Sequence, residues 1–343
     1  MNIINNYQVT EDKVTGDLVT GDKVNLVYLA NPVYGGWVTF TAHLSHKHSA
    51  PIYKVAKRNE TFDRDYGYEC SYRNKTIDEV VKMSNIVITA VDKHYWHHLH
   101  LFSPETRIVI HDPTECKASK NLNPLCQVTE NNEDILLRHF RVITIRESVQ
   151  EYLVNKFSVS SQFMPHPFFS YKIPKIDGMG HKCVSIARID FDKHTDILLK
   201  ANQLMEDKSN HIYLFGAENR LYVHHKLKDL NIAEYWKGKF PKNLSPVHGD
   251  KSILKDAKYM IDMSVIKGDG GGTQYTFLEA IYHDCVLILN NEWISKGDLF
   301  VSGHNCIGVS DAAELAAFLT EDLSPEIYDE IIENSQIILQ DHV

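Results

Sequence analysis

Three glycines in a row stand ahead of an apolar run in Gly268-Asp269-Gly270-Gly271-Gly272-Thr273-Gln274-Tyr275-Thr276-Phe277-Leu278-Glu279-Ala280. Glycine lets a backbone approach a ligand closely. A helix starting behind it offers unpaired N–H groups and a partial positive charge, which suits a phosphate or diphosphate. Asp269 opens the segment and Glu279 lies about two turns into the expected helix. The plain alternative is a surface turn capped by Asp269, and it is the weaker one because strand-like runs flank the segment on both sides. A second candidate is Val184-Ser185-Ile186-Ala187-Arg188-Ile189-Asp190-Phe191-Asp192-Lys193-His194, which leaves a strand carrying Arg188 and Lys193. Ligands collect at strand carboxyl ends in open α/β sheets, and two cations there could neutralise a departing diphosphate. Taken alone, two solvated loop cations would be the simpler reading. Asp190 and Asp192 have the look of a metal-binding DxD, but they alternate with the cations on one loop, so no metal is assigned.

A third candidate is Ile108-Val109-Ile110-His111-Asp112-Pro113, a strand running into a His-Asp pair. Asp112 there could take a proton or hold a hydroxyl, and His111 could position a reacting group. An Asp-Pro turn that merely starts a loop explains the pair equally well. Gly35-Gly36, at the end of the first strand, could bring backbone N–H groups to the same cleft. His94, His97, His98 and His100 crowd one stretch, yet no carboxylate or cysteine completes a metal set beside them, and a polar helical surface is the better reading. Arg64, Arg73 and Lys75 among Tyr66, Tyr68 and Tyr72 have the mixture used to stack bases and hold phosphates, diluted by Asp63, Asp65 and Glu69. No G-x-G-x-x-G follows the first strand, which speaks against a dinucleotide dehydrogenase, and no Walker A sequence exists.

These residues need elements to hold them. Val24–Ala30 is a nearly continuous apolar run, as a buried parallel strand requires. Further strands are expected at Ile52–Val55, Ile86–Ala90, Arg107–Ile110 and Val142–Ile145, with helices at Trp37–His43 and Thr76–Met83. Prolines at 165, 167 and 174 and glycines at 178 and 180 mark a break. The alternation then restarts. Strands are expected at Cys183–Ala187, Ile212–Phe215, Lys258–Met263 and Val286–Leu289. Helices are expected at Thr195–Met205, Leu221–Leu230, Thr273–Tyr282, Ala312–Leu319 and Glu326–Leu339. This predicts an α/β chain of two Rossmann-like domains facing across a cleft. Residues 1–22, with the repeat Val14-Thr15-Gly16-Asp17 and Val19-Thr20-Gly21-Asp22, are expected as a hairpin or leader. Residues 23–170 and 171–322 form the two domains, and 323–343 a last helix packing back on the first.

The whole chain of 343 residues carries 36 Lys and Arg against 45 Asp and Glu, a formal charge of −9 that argues against a general polyanion binder. The acidity is local. From Gly297 to Val343 there are ten acidic residues and no Lys or Arg, so the preceding 296 residues balance at +1. Lys237 to Lys258 holds a local lysine excess, either a solvated face or a margin for a phosphate-rich partner. Six cysteines without a CxxC pair, an amino terminus unlike a signal peptide and the lack of an 18-residue apolar run predict a cytoplasmic protein away from membranes.

The combination resembles the large retaining family of GT-B glycosyltransferases that use nucleotide sugars, over most of the chain from Val24 and most strongly from Val184 to Leu289. In that family an Arg and a Lys after the first strand of the second domain hold the donor diphosphate, which implies that role for Arg188 and Lys193. A Glu in Leu-Glu-Ala holds the nucleotide ribose, which implies that role for Glu279. The family's other Glu lies eight residues earlier, where this chain has Gly271. Asp269 is expected to substitute, or the glycine backbone Gly270 to Gly272 rebuilds the contact. A narrower resemblance is to the DNA glycosyltransferases of T-even bacteriophages. Tyr275-Thr276-Phe277-Leu278-Glu279 is similar to their Tyr-Thr-His-Leu-Glu, and Arg107 to Asp112 to their strand ending in a catalytic His-Asp. The resemblance implies a UDP-sugar donor of glucose or a pentose such as arabinose. It also implies 5-hydroxymethylcytosine in double-stranded DNA as acceptor, with no obligatory metal. The rivals are a polysaccharide or lipid-acceptor transferase, which predicts an amphipathic basic helix near the amino terminus that is not found, and a non-catalytic nucleotide-sugar-binding module.

Overall fold

Apolar runs without polar alternation must be covered on both faces. The first of them, Asn25–Leu29 (β1), sits near the centre of a seven-stranded parallel sheet. The computed structural model describes residues 24–31, 35–55, 72–92, 94–116, 137–169, 177–238 and 251–342. The repeat at 14–22, the expected leader, residues 63–69 of the tyrosine-rich stretch and the lysines at 239 and 242 lie outside the described residues. Ile52–Val55 (β2) and Tyr72–Lys75 (β3) flank β1 on one side. Ile86–Val91 (β4), Arg107–Ile110 (β5), Arg141–Thr144 (β6) and Gln162–Phe163 (β7) flank it on the other, in the order β3-β2-β1-β4-β5-β6-β7. Gly36–His48 (α1), Ile77–Val80 (α2) and Glu147–Phe157 (α3) lie along the chain between strands.

A second parallel sheet starts after Asp177–Gly178 (β8). It is built from Cys183–Ile186 (β9), Ile212–Phe215 (β10), Tyr259–Asp262 (β12), Val286–Asn290 (β13) and Ile307–Val309 (β14), while Lys251–Ser252 (β11) pairs with β8. Its order is β10-β9-β12-β13-β14. The helices are Thr195–Leu204 (α4), Arg220–Lys226 (α5), Ile232–Tyr235 (α6), Tyr275–Tyr282 (α7), Asn291–Ile294 (α8), Ala312–Glu321 (α9) and Pro325–Gln340 (α10). Both sheets are doubly wound. In each, the order reverses at one place: between β1 and β4 in the first sheet, and between β9 and β12 in the second. Ligands bind outside the strand carboxyl ends at such a switch point.

Alternate residues of β1 serve two cores, Val27 and Leu29 on one face, Leu26 and Tyr28 on the other. The second of these cores runs on without interruption into the second sheet, through Phe40 of α1, Val184 and Ile186 of β9, and Phe277, Leu278 and Ile281 of α7. Burying such side chains stabilises by about 1.5–3 kcal/mol each, so the junction between the sheets is part of the core. The body of α10 lies along α7 and β13, and the residues after it reach the first sheet's exit segment. There the Phe168 N–H donates to the His342 carbonyl at 2.9 Å, and His342 Nδ1 meets the His166 carbonyl at 2.8 Å.

Candidate active site

After β1 the chain turns at Gly35, whose φ of 101° and ψ of −177° belong to backbone that only glycine adopts without strain. Among the described residues a Cβ on Gly35 or Gly36 would meet nothing within 4 Å. Trp37, one residue on, donates from Nε1 to Glu115 Oε1 at 2.7 Å. Glu115 lies in the turn of 3₁₀ helix Pro113–Cys116 that follows β5, and its Oε2 accepts from the His111 N–H at 3.0 Å. Burial, with the Asp112 carboxylate beside it, pushes the Glu115 carboxyl well above the usual range.

His111 is buried where β5 ends. Its Nε2 stands 2.7 Å from the Thr89 carbonyl, which can only accept, so Nε2 carries the proton and Nδ1 keeps its lone pair. Burial lowers the imidazole to about 4, and the ring is neutral at pH 7. Phe40 presents its ring edge-on to it at 4.8 Å. Asp112, next in the chain, is half-buried.

Arg146 follows β6 as His111 follows β5. Its Nη2 donates to the His111 carbonyl at 2.7 Å and makes an ion pair with Asp269 Oδ2 at 2.8 Å. Asp269 belongs to the glycine segment after β12, so this pair spans from the first sheet to the second. Ser148, in the first turn of α3, donates to Asp269 Oδ1 at 2.8 Å, and the Gly270 N–H reaches the same oxygen at 3.0 Å. Asp269 is 1% exposed.

The glycines behind Asp269 are explained by packing as well as by ligand approach. A Cβ on Gly271 would lie 2.6 Å from the Gly297 nitrogen and the Lys296 carbonyl, and its φ is +72°. A Cβ on Gly270 would strike the Lys296 side chain, and one on Gly272 would crowd Arg146 Cγ at 3.1 Å. Trp293 clamps the loop from the other side, taking the Gly271 N–H on its carbonyl at 2.9 Å and giving Nε1–H to the Gly272 carbonyl at 3.1 Å. Helix α7 then begins at Tyr275, two residues later than Thr273. Glu279 is buried within it, and burial with that neighbouring carboxylate raises the Tyr275 hydroxyl well above its ordinary value.

The two cations of the β9 loop occupy different surroundings. Lys193 is 9% exposed and points at the β12 end, with Nζ 2.6 Å from Ser264 Oγ, 3.2 Å from Gln274 Oε1 and 3.7 Å from Asp262 Oδ2. Asp262 also accepts from the Ser264 N–H and hydroxyl. Arg188 is 58% exposed at its side chain and is held by Asp190 at 3.0 Å and Asp192 at 3.1 Å. The DxD carboxylates therefore serve their own loop's arginine. Among the described residues no group of three or more His, Cys, Asp or Glu side chains gathers as metal ligands, and no helix is long and apolar enough to cross a membrane.

One chain of contacts thus runs from the start of α1 through Trp37, Glu115, His111 and Arg146 to Asp269 and the glycine segment, and Lys193 reaches the far end of that segment through Gln274. No family model and no curated protein matches the sequence. Solved structures do match. HepE of Anabaena, crystallised with UDP, superimposes with a TM-score of 0.63 at 12% identity, covering 94% of this chain and 95% of that one. An α-glucosyltransferase in complex with UDP and a 13-mer DNA containing an HMU base gives 0.61 at 12% identity, over 94% and 96%. A variant of TarM from S. aureus, with UDP and alpha-GlcNAc-glycerol among its ligands, gives 0.52 at 15% identity over 75% of this chain and 52% of that one. The chain has the GT-B fold.

In a GT-B fold the two sets of strand carboxyl ends face each other across the cleft, and the contacts above lie there. The arrangement offers a buried cation near a helix start, a neutral imidazole with a free lone pair, and a carboxylate next to it. Sequence reasoning singled out His111, Asp112, Lys193 and Asp269 but missed Arg146, Glu115, Ser148 and Gln274. Arg146 was within reach, since it follows an expected strand just as Arg188 does. Its partner was not, because the pair joins distant segments.

Proposed function

We propose that this chain is a glycosyltransferase that moves a sugar, glucose or a pentose such as arabinose, from a UDP-sugar to a hydroxyl acceptor. The observation that carries this reading is Lys193, buried and aimed by Ser264 and Gln274 at the switch point where the glycine segment enters α7. A cation held there can neutralise the diphosphate as it leaves, without reorganising. Arg188 would join it on exchanging Asp190 and Asp192 for phosphate oxygens, with Gly270 to Gly272 and the first turn of α7 lining the same place. Glu279 would take the ribose hydroxyls. Across the cleft, Asp112 and the His111 Nδ1 lone pair face the reacting sugar and acceptor, and the bare backbone of Gly35 and Gly36 approaches from the end of β1. UDP in the HepE, TarM and α-glucosyltransferase structures supports the donor class.

For the acceptor we favour 5-hydroxymethylcytosine in phage DNA. The DNA-bound α-glucosyltransferase matches over almost the whole of both chains, as HepE does, whereas this chain spans about half of TarM. The likeness of Arg107 to Asp112 and of Tyr275 to Glu279 to the phage enzymes is what favours DNA. The work would take place in the host cytoplasm, with retention at the anomeric carbon. A transferase acting on a polysaccharide or lipid acceptor is the second reading, favoured by the alpha-GlcNAc-glycerol in the TarM structure. The test is a panel of labelled UDP-sugars offered with hydroxymethylcytosine DNA, unmodified DNA and a lipid acceptor. Label entering only the hydroxymethylated DNA is expected. Label entering the lipid alone overturns the DNA acceptor, and no transfer from any donor overturns the activity.

A further inference from the structure

We propose that Arg146 is a positioning residue that latches the cleft: with Ser148 it holds Asp269 of the opposite domain, and through the His111 carbonyl it sets the reacting loop against the donor loop. This deepens the proposed transferase reading and rests on it for its effect on turnover. Arg146 comes from the end of β6 and Ser148 from the first turn of α3, so both belong to the first sheet. Asp269 opens the glycine segment of the second. Its carboxylate fits a prepared seat, with Oδ2 on Arg146 Nη2 at 2.8 Å and Oδ1 on the Ser148 hydroxyl at 2.8 Å. The seat lies at the start of an 11-residue helix whose own first residues give no side-chain cap, so the positive helix end faces an anion from the other domain. Arg146 is 12% exposed and Asp269 1%, which places the ion pair where water screens it little.

The same nitrogen that grips Asp269 also donates to the His111 carbonyl. Opening the cleft therefore releases the Arg146 and Ser148 contacts to Asp269, while the bond to the His111 carbonyl stays within the first sheet and keeps Arg146 aimed at the donor loop. Gly272 eases the approach, because a Cβ there would stand 3.1 Å from Arg146 Cγ and push the side chain aside by a few tenths of an ångström. Buried ion pairs are poor sources of net stability but good fixers of geometry. Neither Arg146 nor Asp269 is then required to touch the sugar. Their work is to make the closed arrangement, in which Asp112, His111 and the donor loop are in register, the preferred one.

The test compares wild type with R146Q, D269N, S148A and R146K by small-angle X-ray scattering, UDP titration and initial rates, after thermal melts have established folding. R146Q and D269N are expected to enlarge the radius of gyration and lower kcat by about 100-fold, because small misplacements of reacting groups cost that much. UDP affinity is expected to stay within about threefold, a difference under 1 kcal/mol. R146K should regain the closed scattering curve but only part of kcat, since the shorter, more flexible and more strongly hydrated ammonium holds Asp269 and the His111 carbonyl in a less fixed geometry than the planar guanidinium. S148A, which removes one hydroxyl, decides the matter if the charge variants fail to fold, with a smaller opening and a smaller loss of kcat. Wild-type scattering in R146Q and D269N, or in S148A where those unfold, overturns the latch. So does a loss of kcat that merely follows loss of UDP binding. If wild type transfers no sugar, the activity reading has failed, and the scattering curves alone then decide the latch.

Discussion

Lys193 and Arg188 share one loop and differ in what a diphosphate would find. The lysine is buried, aimed and held by neutral oxygens of Ser264 and Gln274, with Asp262 farther off. The arginine is exposed and already paired with two carboxylates, where solvent weakens any charge interaction. K193A should therefore lower kcat by about 10²–10³-fold, the usual cost of one preorganised charge stabiliser, and R188A by about tenfold or less. Steady-state rates with a saturating donor check the order, and equal losses would contradict it. With cations supplying the charge, turnover should survive EDTA, and complete loss would show that a metal is needed. The types and places of these residues were readable because they follow apolar strands. Their unequal settings were not, since Ser264 and Gln274 lie about 70 to 80 residues further along the chain.

Elements were legible where burial imposes a pattern. β5 and β10 have the bounds expected from their apolar runs, and β1 differs by single residues at each end. β3, with the sequence Tyr-Arg-Asn-Lys, shows in sequence only a cation and tyrosine mixture, because an edge strand needs no apolar alternation. Helix α3 carries little apolar pattern in its sequence, because only Val149, Leu153 and Phe157 of its 11 residues are buried. The glycine segment was legible as a special backbone, but its neighbours at Lys296 and Gly297 were not. That difference is testable. G271A meets backbone that cannot move aside and a φ of +72°, and should cost about 1–3 kcal/mol from strain with more from the clash, seen as a lower melting temperature. G36A meets no atom within 4 Å among the described residues and has no such φ, so its stability should stay within about 0.5 kcal/mol of wild type. A fall in turnover there would report directly on ligand approach to the start of α1.

At the scale of the molecule, the two sheets share a continuous core, and neutral histidines are buried at and near their junction. His43 stacks on Tyr275 at 4.9 Å and is lowered to about 3 by burial, while His111 is lowered to about 4. His166 and His342 are lowered too, again chiefly by burial. Each has a folded value below the ordinary 6.5, so between those values the unfolded chain binds more protons. The stability due to neutral burial is thus present above about pH 6.5 and lost as the pH falls towards 4. Calorimetry should find the melting temperature falling from pH 7 to pH 5, and a flat profile would contradict this. The overall charge of −9 is concentrated in residues 297–343, and the preceding 296 residues balance at +1. A near-neutral body should hold DNA weakly, with affinity that falls as salt rises. The donor site is the centre of the whole reading, and titration calorimetry of UDP into the wild-type and K193A proteins tests it most directly. One UDP bound per wild-type chain, with affinity markedly weakened in K193A, is the predicted result. Absence of binding to wild type, or equal binding to both proteins, would contradict a diphosphate site at Lys193.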